Sequence, residues 1–386
     1  MDCYTPEISE QRDGGLSRLV LDATFPLFWE EQDCLSGIKG QKRVEILLSL
    51  IKTAEKKIFE PQKAKYWQNF PAEPIPCFQL GGSEQFVRVF ASKGPEGKIS
   101  KSLATIVSST YPKNAHGAIP ICDKSSALVF DEGRLLVITT ADGCNWGEEP
   151  SKAAEFAVDS GEKGFLEELK RVSRLVSFKP ILQDIGHSLM VAAHKAESEI
   201  LKNCSNGTTT YLQTVVTARR DGLIFDICAY SIGDMKAYLF SSTTNTVVEI
   251  TKGNRHGEDV CDPGGRLGRY PESSDLKNAQ LFYFVAQKGD FLIQVSDGLH
   301  DCLEASLMGI SSHLDSCTFA EALLQVLLKG ADNPSDITKR LLTHAQKLTA
   351  SICELMESDA KASQPADHRK FPGKTDHVLI TVARIG

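Results

Sequence analysis

Several apolar segments of this sequence end in an aspartate that stands beside a glycine. The clearest is FLIQVSDGLHDCL (residues 291–303), where an apolar run closes on Asp297-Gly298 and a second acid, Asp301, follows four residues later. A single Asp-Gly after a strand is usually a turn, because Gly accepts positive φ and Asp bonds the neighbouring backbone. One such acid therefore says little about chemistry unless the pattern recurs.

The pattern does recur, at four other apolar segments that are far apart in the chain. If these strand ends meet in one sheet system, their carboxylates form a cluster, and like charges raise one another's pKa unless cations lie among them. Clusters that offer only oxygen ligands suit Mg²⁺ or Mn²⁺. The pattern therefore predicts a metal site, and its other acids are Asp123, Asp142, Asp234 and Asp376.

Composition limits the possible partners. The chain has 386 residues, 41% of them hydrophobic and 24% charged, which is ordinary for a globular protein with a sizeable core. A net charge of −7 argues against a general nucleic-acid or anionic membrane surface. No signal-peptide pattern or membrane-length apolar stretch is visible, and the eleven cysteines form no CxxC pair. We therefore expect reduced thiols in a cytoplasmic or nuclear protein.

The chain divides into an N-terminal extension, residues 1–80, and a main domain, residues 81–386. The extension contains an amphipathic helix pattern at residues 42–59, with its apolar stripe on one face. Docking of this stripe on the main domain is favoured, and a membrane-surface role is the alternative. A Pro-rich segment, WQNFPAEPIPCF, follows this helix pattern.

The main domain reads as strands with helices in pairs, and short links at Asp221-Gly222 and Lys288-Gly289-Asp290 indicate hairpin turns and antiparallel pairing. Thr318 with Glu321 forms a capping-box pattern, and a later helix pattern runs unbroken over residues 336–356. The predicted fold is α+β, with helices covering a sandwich of two antiparallel sheets. The predicted strands are 86–92, 125–131, 134–141, 208–219, 222–232, 235–241, 246–251, 280–286, 290–296 and 377–385.

The order of these acids, with their flanking residues, resembles the metal-dependent protein phosphatases (the PPM or type 2C family) over about residues 110–386. Any one of these motifs is weak, whereas their joint order is specific. The matching motifs are Cys122-Asp123, Asp142-Gly143, Gly207-Thr208-Thr209, Gly233-Asp234, Ser296-Asp297-Gly298 with Asp301, and Asp376-His377.

The resemblance implies an αββα sandwich, with two Mg²⁺ or Mn²⁺ ions at one end of the sheets and possible weak binding of a third. The ions activate a water that attacks the phosphorus of a phosphoserine or phosphothreonine in a protein substrate. By matching position, Asp142, Asp297 and Asp376 are the catalytic first-metal acids, and Asp142 bridges both ions.

The resemblance also implies the remaining ligands. The Gly143 carbonyl is a further ligand, and Asp123 assists at the second metal, largely through water molecules. Asp234, with Asp297 and Asp301, matches the site of the third and weaker ion.

The chain departs from the family after Gly233-Asp234, where Met-Lys stands in place of Ser-Arg, and at three other positions. Cys122 stands where the acidic pair normally begins with Glu, Ala118 stands where an arginine grips the substrate phosphate, and Cys144 stands where a His often follows the Asp-Gly. A neutral thiol is a poor replacement for an imidazolium acid. Four basic residues are candidate replacements for the missing arginine: Lys113, Lys124, Arg266 and Arg269.

Two functions follow, and the sequence leaves both open. The first is a Mg²⁺- or Mn²⁺-dependent protein serine/threonine phosphatase, which the retained Asp142, Asp297 and Asp376 favour. The second is a pseudophosphatase, a binding or scaffold module on the same sandwich with weak or absent catalysis, which Cys122, Ala118 and Cys144 favour. A fold match by itself does not decide between them.

Overall fold

Two large antiparallel β-sheets lie face to face at the centre of the molecule in a computed structural model of the chain. Apolar residues in the predicted strands either alternate with polar ones or form continuous runs. Nearly all side chains of these strands are buried, as expected for strands that are covered on one or both faces. The structure describes residues 8–13, 16–22, 85–91, 93–112, 115, 117–175, 182–255, 262–270, 272–310, 315–358, 364–365 and 367–386.

The first sheet has eight strands, and every neighbouring pair in it is antiparallel. Its central strands carry no charged side chain except Asp226 and Lys124, as expected for strands that are covered on both faces. In spatial order the strands are β1 (Ile8–Asp13), β2 (Leu16–Asp22), β14 (Gln280–Gln287), β10 (Ile224–Ile232), β9 (Tyr211–Ala218), β7 (Leu135–Ala141), β6 (Lys124–Phe130) and β3 (Gln85–Val89).

The second sheet has six antiparallel strands, and a small third sheet joins β8 (Thr208–Thr209) to β13 (Leu267–Gly268). In the second sheet β15 and β16 lie side by side, which brings two of the predicted acid-bearing strand ends together. In spatial order its strands are β12 (Thr246–Glu249), β11 (Lys236–Ser241), β15 (Phe291–Val295), β16 (His377–Arg384), β5 (Leu103–Ser109) and β4 (Glu96–Ile99).

Helices cover the outer faces of both sheets. Two long helices pack on the first sheet, and a second pair packs on the second sheet after a short helix that begins at Asp297. The helices are α1 (Glu148–Leu175), α2 (Leu182–Asn203), α3 (Asp297–His300), α4 (Ser316–Leu328), α5 (Pro334–Leu348) and α6 (Ala350–Ser358).

Three buried apolar clusters hold these four layers together. The first lies between the two sheets, the second lies between the first sheet and its helices, and the third lies between the second sheet and its helices. Typical members are Leu212 and Leu292 between the sheets, Phe165 on the inner face of α1, and Leu341 on the inner face of α5. The predicted α+β sandwich of two antiparallel sheets flanked by helix pairs is therefore confirmed.

One predicted hairpin is wrong. The Asp221-Gly222 turn does join the paired strands β9 and β10. The turn at Lys288-Gly289-Asp290 instead carries the chain from β14 in the first sheet to β15 in the second. A tight turn is a local feature, whereas the ladder partner of each strand is decided by the other strands of its sheet.

Two details of the helices also differ from the sequence pattern. The N-cap of α4 is Asp315, whose carboxylate accepts from the Thr318 backbone N–H at 3.1 Å, while Glu321 accepts from the backbone N–H of Glu249. The long pattern over residues 336–356 divides at Thr349 into α5 and α6. At this position the Thr349 hydroxyl bonds back to the Ala345 carbonyl at 2.9 Å, a contact that often bends helices.

The N-terminal residues are described only in part. Strands β1 and β2 form a hairpin beside β14 at the edge of the first sheet. The amphipathic pattern at residues 42–59 lies outside the described residues, so the division at residue 80 stays a prediction. In the described part of the chain, no helix has the length and apolarity needed to cross a membrane.

Candidate functional site

Asp142 leaves the end of β7 and is fixed through its backbone. Its carbonyl accepts from the Thr210 backbone N–H at 2.8 Å and from the Thr209 hydroxyl at 2.8 Å. Its own N–H donates to the Thr210 hydroxyl at 3.2 Å, and Gly143 bridges to Thr209. The Gly-Thr-Thr motif therefore holds the Asp142 backbone, and its carboxylate lies beside that of Asp123.

Asp123 precedes β6 and is fully buried. Its Oδ2 accepts from the Ser296 hydroxyl at 2.7 Å, and that hydroxyl in turn accepts from the Leu379 backbone N–H at 2.9 Å. Ser296 therefore ties Asp123, on the first sheet, to the ends of β15 and β16 on the second. This contact explains why a serine precedes the acid in the Ser-Asp-Gly motif.

Asp297 and Asp376 come from the neighbouring ends of β15 and β16. The α3 turn approaches β16 so closely that a Cβ atom on Gly298 would lie 1.8 Å from the His377 carbonyl oxygen. Asp376 is held by Thr110, whose hydroxyl accepts from the Asp376 backbone N–H at 2.8 Å. Because of these contacts, both carboxylates face the same space as Asp123 and Asp142.

Two basic side chains lie on one side of this acid cluster. The Lys374 ammonium donates to Asp297 at 2.6 Å and to Asp301 at 3.1 Å, and it lies 2.9 Å from Asp376. The Arg255 guanidinium donates to Asp301 at 2.6 Å. In the described residues, by contrast, no ion pair joins Asp123 or Asp142 to a basic side chain. The positive charge is therefore concentrated on the side of Asp297 and Asp301.

The pKa values of the acids follow this division in part, because burial and the charge of Asp297 raise the pKa of Asp376 to about 6 even beside Lys374. Burial, then the charges of Asp297 and Asp376, raise the pKa of Asp123 to about 7, although its bond from Ser296 opposes them. Burial and the neighbouring acids also raise the pKa of Asp142 well above its usual range. Burial raises the pKa of Asp297 too, but the charge and the hydrogen bond of Lys374, together with His300, hold this pKa below its usual value. Asp123 and Asp142 are thus the carboxylates that still lack a counter-charge.

A divalent cation fits the side of the cluster formed by Asp123 and Asp142. The Oδ1 atom of Asp123 is buried and has no hydrogen-bond partner within the described residues, which is costly for a carboxylate oxygen. Hard oxygen donors of this kind suit Mg²⁺ or Mn²⁺. The other side fits less well, because Lys374 already lies between Asp297 and Asp376.

The acids predicted for a third ion also meet a basic side chain. Asp234 follows the Gly233 turn, which Asn278 bonds at both the N–H and the carbonyl. The Arg255 Nε lies 3.8 Å from Asp234, and its Nη1 bonds Asp301. His300 and Glu304 lie near Asp301 in an arrangement that could hold a metal, but Arg255 contacts both Asp301 and Glu304. The sequence gives no sign that Arg255 reaches these acids.

Lys374 was not singled out by sequence reasoning either, although a signal was present. It stands two residues before Asp376, in the segment GKTDH. A lysine that precedes a predicted ligand so closely can reach the same cluster from the same strand end. Arg255, in contrast, follows β12 by a turn, and only the tertiary structure brings it to Asp301.

Three departures from the family pattern lie around the cluster. Ala118 is buried in the turn that precedes Asp123, and Cys122 is fully buried with the pKa of its thiol raised to about 12, chiefly by burial. Burial also raises the pKa of the Cys144 thiol to about 11. Both thiols are therefore neutral near pH 7, and neither supplies a charge to a metal or a phosphate.

The four candidate phosphate-binding residues differ in their burial and in their distance from the acid cluster. Lys124 is buried and donates to the carbonyls of Ala91 and Ile121, and Lys113 lies outside the described residues. Arg269 is exposed. Arg266 precedes β13, which pairs with β8 beside Gly143, and its charge lowers the pKa of Cys144 against the larger effect of burial. Among the four candidates, Arg266 is thus the one that the described contacts bring toward the acid cluster.

We expect the Asp123→Asn variant to gain stability relative to the wild type as pH rises. The pKa of Asp123 is raised from 3.8 to about 7 in the folded protein, so its ionised form opposes folding. Without metal, the free-energy advantage of the variant should therefore grow from about pH 4 to about pH 7 and then level off. Urea unfolding in a chelator at several pH values measures this difference.

Asp221→Asn is the matched control, since Asp221 lies in an exposed turn and its pKa is lowered by backbone hydrogen bonds. Its effect on stability should not change between pH 5 and pH 8. A pH-independent effect of Asp123→Asn over the same range would contradict the prediction.

Comparison with known proteins gives matches at the level of structure. A scan against models of protein families finds no match, and a search of curated proteins finds none. A phosphatase from a pathogenic strain of Toxoplasma gondii aligns with 75% of this chain and 95% of its own, at 12% identity and a TM-score of 0.44. The photosystem II phosphatase PBCP aligns with 78% of this chain and 99% of its own, at 14% identity and a TM-score of 0.41.

A third similar structure is the Mycobacterium tuberculosis serine/threonine phosphatase PstP/Ppp. It aligns with 73% of this chain and 97% of its own, at 17% identity and a TM-score of 0.39. Since all three TM-scores are below 0.5, the fold class of this chain rests on its own sheets and layers. All three proteins are phosphatases.

Proposed function

We propose that this chain is a divergent metal-dependent protein phosphatase that hydrolyses phosphoserine or phosphothreonine in proteins with Mg²⁺ or Mn²⁺. The observation that carries the proposal is the convergence of four acids from separate strand ends, with Asp123 and Asp142 left without a basic partner in the described structure. Such an arrangement is unfavourable by itself and becomes favourable when a cation binds.

Asp123, Asp142 and the Gly143 carbonyl would hold the ion on this side of the cluster. When bound, a divalent ion lowers the pKa of a coordinated water and stabilises charge on a phosphoryl group. The chain itself orients the acids, through the threonines at Asp142 and through Ser296 at Asp123. This support from rigid strand ends is what a precise ligand geometry requires.

The phosphate of the substrate needs a basic group, and Arg266 is our candidate. Its guanidinium stacks over the Tyr270 ring at 4.0 Å and donates to Asp262 at 2.8 Å. Its Nε is buried and makes no hydrogen bond with the described residues. A guanidinium that is held by a ring and a carboxylate keeps donors available in a fixed plane, which suits a phosphate group.

The proposal is tested by phosphate release from a phosphothreonine peptide and from an aryl phosphate, measured with Mn²⁺, with Mg²⁺ and with EDTA. Release that depends on metal and stops in EDTA supports the proposal. No release of phosphate in millimolar Mn²⁺ from either substrate contradicts it.

The second candidate is a pseudophosphatase that binds phosphoproteins without efficient hydrolysis. Ala118 and Cys122 favour it, because neither side chain can replace the arginine or the glutamate of the family pattern. Binding of the phosphothreonine peptide that exceeds binding of its unphosphorylated form, with no phosphate release, would identify this function.

We expect Arg266→Met to lower kcat/KM for the phosphothreonine peptide by about 10- to 100-fold, the usual effect of losing a hydrogen bond to a charged group. Arg269→Met is the control, because Arg269 lies three residues away and is exposed. Calorimetric titration should give the same Mn²⁺ affinity for both variants. Equal kcat/KM values for the two variants would exclude Arg266 as the phosphate-binding residue.

A further inference from the structure

Lys374 is the buried basic residue at the centre of the acid cluster. Its side chain is only 11% exposed, and its ammonium nitrogen lies within 3.1 Å of carboxylate oxygens from Asp297, Asp301 and Asp376. An ammonium group has three N–H donors. Lys374 therefore has one carboxylate partner for each of its donors.

The backbone on both sides of Lys374 fixes this position. The Gly373 N–H donates to the Leu307 carbonyl at 2.7 Å. On the other side, Thr375 donates to the Gln364 side chain from its backbone N–H at 3.0 Å and from its hydroxyl at 2.7 Å. The lysine is thus held at the cluster by its neighbours as well as by its own ion pairs.

The acids that Lys374 contacts include the two that the family pattern assigns to one metal ion, Asp297 and Asp376. A divalent ion bound by the Oδ2 atoms of Asp297 and Asp376 at about 2.1 Å would meet the ammonium, which already lies 2.6 and 2.9 Å from these atoms. Because two cations at this distance repel each other, the ammonium and the ion are alternatives at these atoms. The Lys374 ammonium therefore provides the positive charge at these acids without a bound metal ion.

We propose that Lys374 is an internal cation that replaces one of the metal ions, the ion that Asp297 and Asp376 would otherwise hold. This inference rests on the proposed metal site, since it concerns the same group of acids. It leaves Asp123 and Asp142 as the remaining ligands for a free cation. The chain would therefore bind one ion fewer than its acids allow.

The number of bound Mn²⁺ ions tests this inference. Calorimetric titration with MnCl₂ is made on the full chain of the wild type, of Lys374→Met and of Lys370→Met. Lys370 is the matched control, because it is exposed, lies four residues earlier and faces the Phe371 ring. We expect Lys374→Met to bind one ion more than the wild type, and Lys370→Met to bind the same number as the wild type.

Stability gives a second measurement. Without metal, Lys374→Met leaves three carboxylates facing one another, so its Tm should fall below that of the wild type, and Mn²⁺ should raise it more than it raises the wild-type Tm. If the variant is unfolded without metal, recovery of its structure in millimolar Mn²⁺ supports the inference, and no recovery overturns it.

Equal numbers of ions in the wild type and Lys374→Met would overturn the inference. Its outcome is independent of catalysis. An extra ion in the variant with no phosphate release from the wild type would keep the role of Lys374 and reject the proposed hydrolysis. Metal-dependent phosphate release from the wild type, with equal ion numbers in the wild type and the variant, would keep the proposed hydrolysis and reject the role of Lys374.

Discussion

Replacing Asp142 with asparagine is expected to lower Mn²⁺-dependent phosphate release from a phosphothreonine peptide by at least about 100-fold. Removing a metal ligand lowers activity more than removing a residue that only orients a ligand, which typically lowers activity by about 10- to 100-fold. The same change should raise the Tm of the metal-free protein. Burial and three neighbouring acids raise the pKa of Asp142, so that its charge opposes folding near pH 7. An amide of the same size removes that charge.

The combination of these two effects identifies a ligand-binding acid. A structural acid would lose stability on substitution, whereas Asp142→Asn should gain stability and lose the Tm increase that Mn²⁺ gives the wild type. Phosphate release and Tm, each with and without Mn²⁺, are the measurements.

The control for Asp142→Asn is another Asp-Gly turn of this chain. Asp221 precedes Gly222, and its carboxylate accepts from the backbone N–H groups of Leu223 and Ile224. Asparagine can make the same bonds, so Asp221→Asn should change neither phosphate release nor the response to Mn²⁺. If Asp142→Asn behaves in the same way as Asp221→Asn, Asp142 is only a turn residue and the metal-site proposal fails.

Gly298→Ala is expected to destabilise the protein by about 3 kcal/mol, at the upper end of the usual cost of overpacking. The added Cβ would lie 1.8 Å from the His377 carbonyl oxygen. This oxygen belongs to the backbone at the start of β16, which cannot move as a flexible side chain could. The ends of β15 and β16 must separate to admit it. Because Ser296 at the end of β15 bonds Asp123, Mn²⁺ binding should weaken as well.

Gly97→Ala is the matched control, because Gly97 lies in edge strand β4 and an added Cβ would have its nearest neighbour at an ordinary 3.5 Å. We expect this control to change stability by no more than about 0.5 kcal/mol. Chemical unfolding gives both free energies, and titration with Mn²⁺ gives the affinities. A Gly298→Ala protein as stable as Gly97→Ala would show that the two strand ends are not in close contact.

The elements of the fold could be predicted from the sequence because they depend on local patterns. Apolar runs such as residues 290–296 are strands, since their length and composition suit a strand covered on both faces. Five strands were not predicted, namely β1, β2, β4, β5 and β13. Short strands such as β4 and β13 depend on their partners more than on their own residues.

The acids of the candidate site were also evident in the sequence. Asp142 and Asp297 each follow an apolar run and precede a glycine, and a carboxylate at the end of a buried strand is visible without any knowledge of its neighbours. Which ends would meet was a matter of resemblance, since several pairings of the strands are compatible with the same pattern.

Only the tertiary structure decided how the charges of the site balance. The Lys288-Gly289-Asp290 turn passes from one sheet to the other, which places β15 beside β16 and thereby Asp297 beside Asp376. Lys374 and Arg255 then reach Asp301 from different parts of the chain. Electrostatic energy depends on distances of a few ångströms between such groups, and sequence separation does not encode those distances. The sequence by itself therefore determined which acids are present, and the packing of the two sheets determined which of them already have a cation.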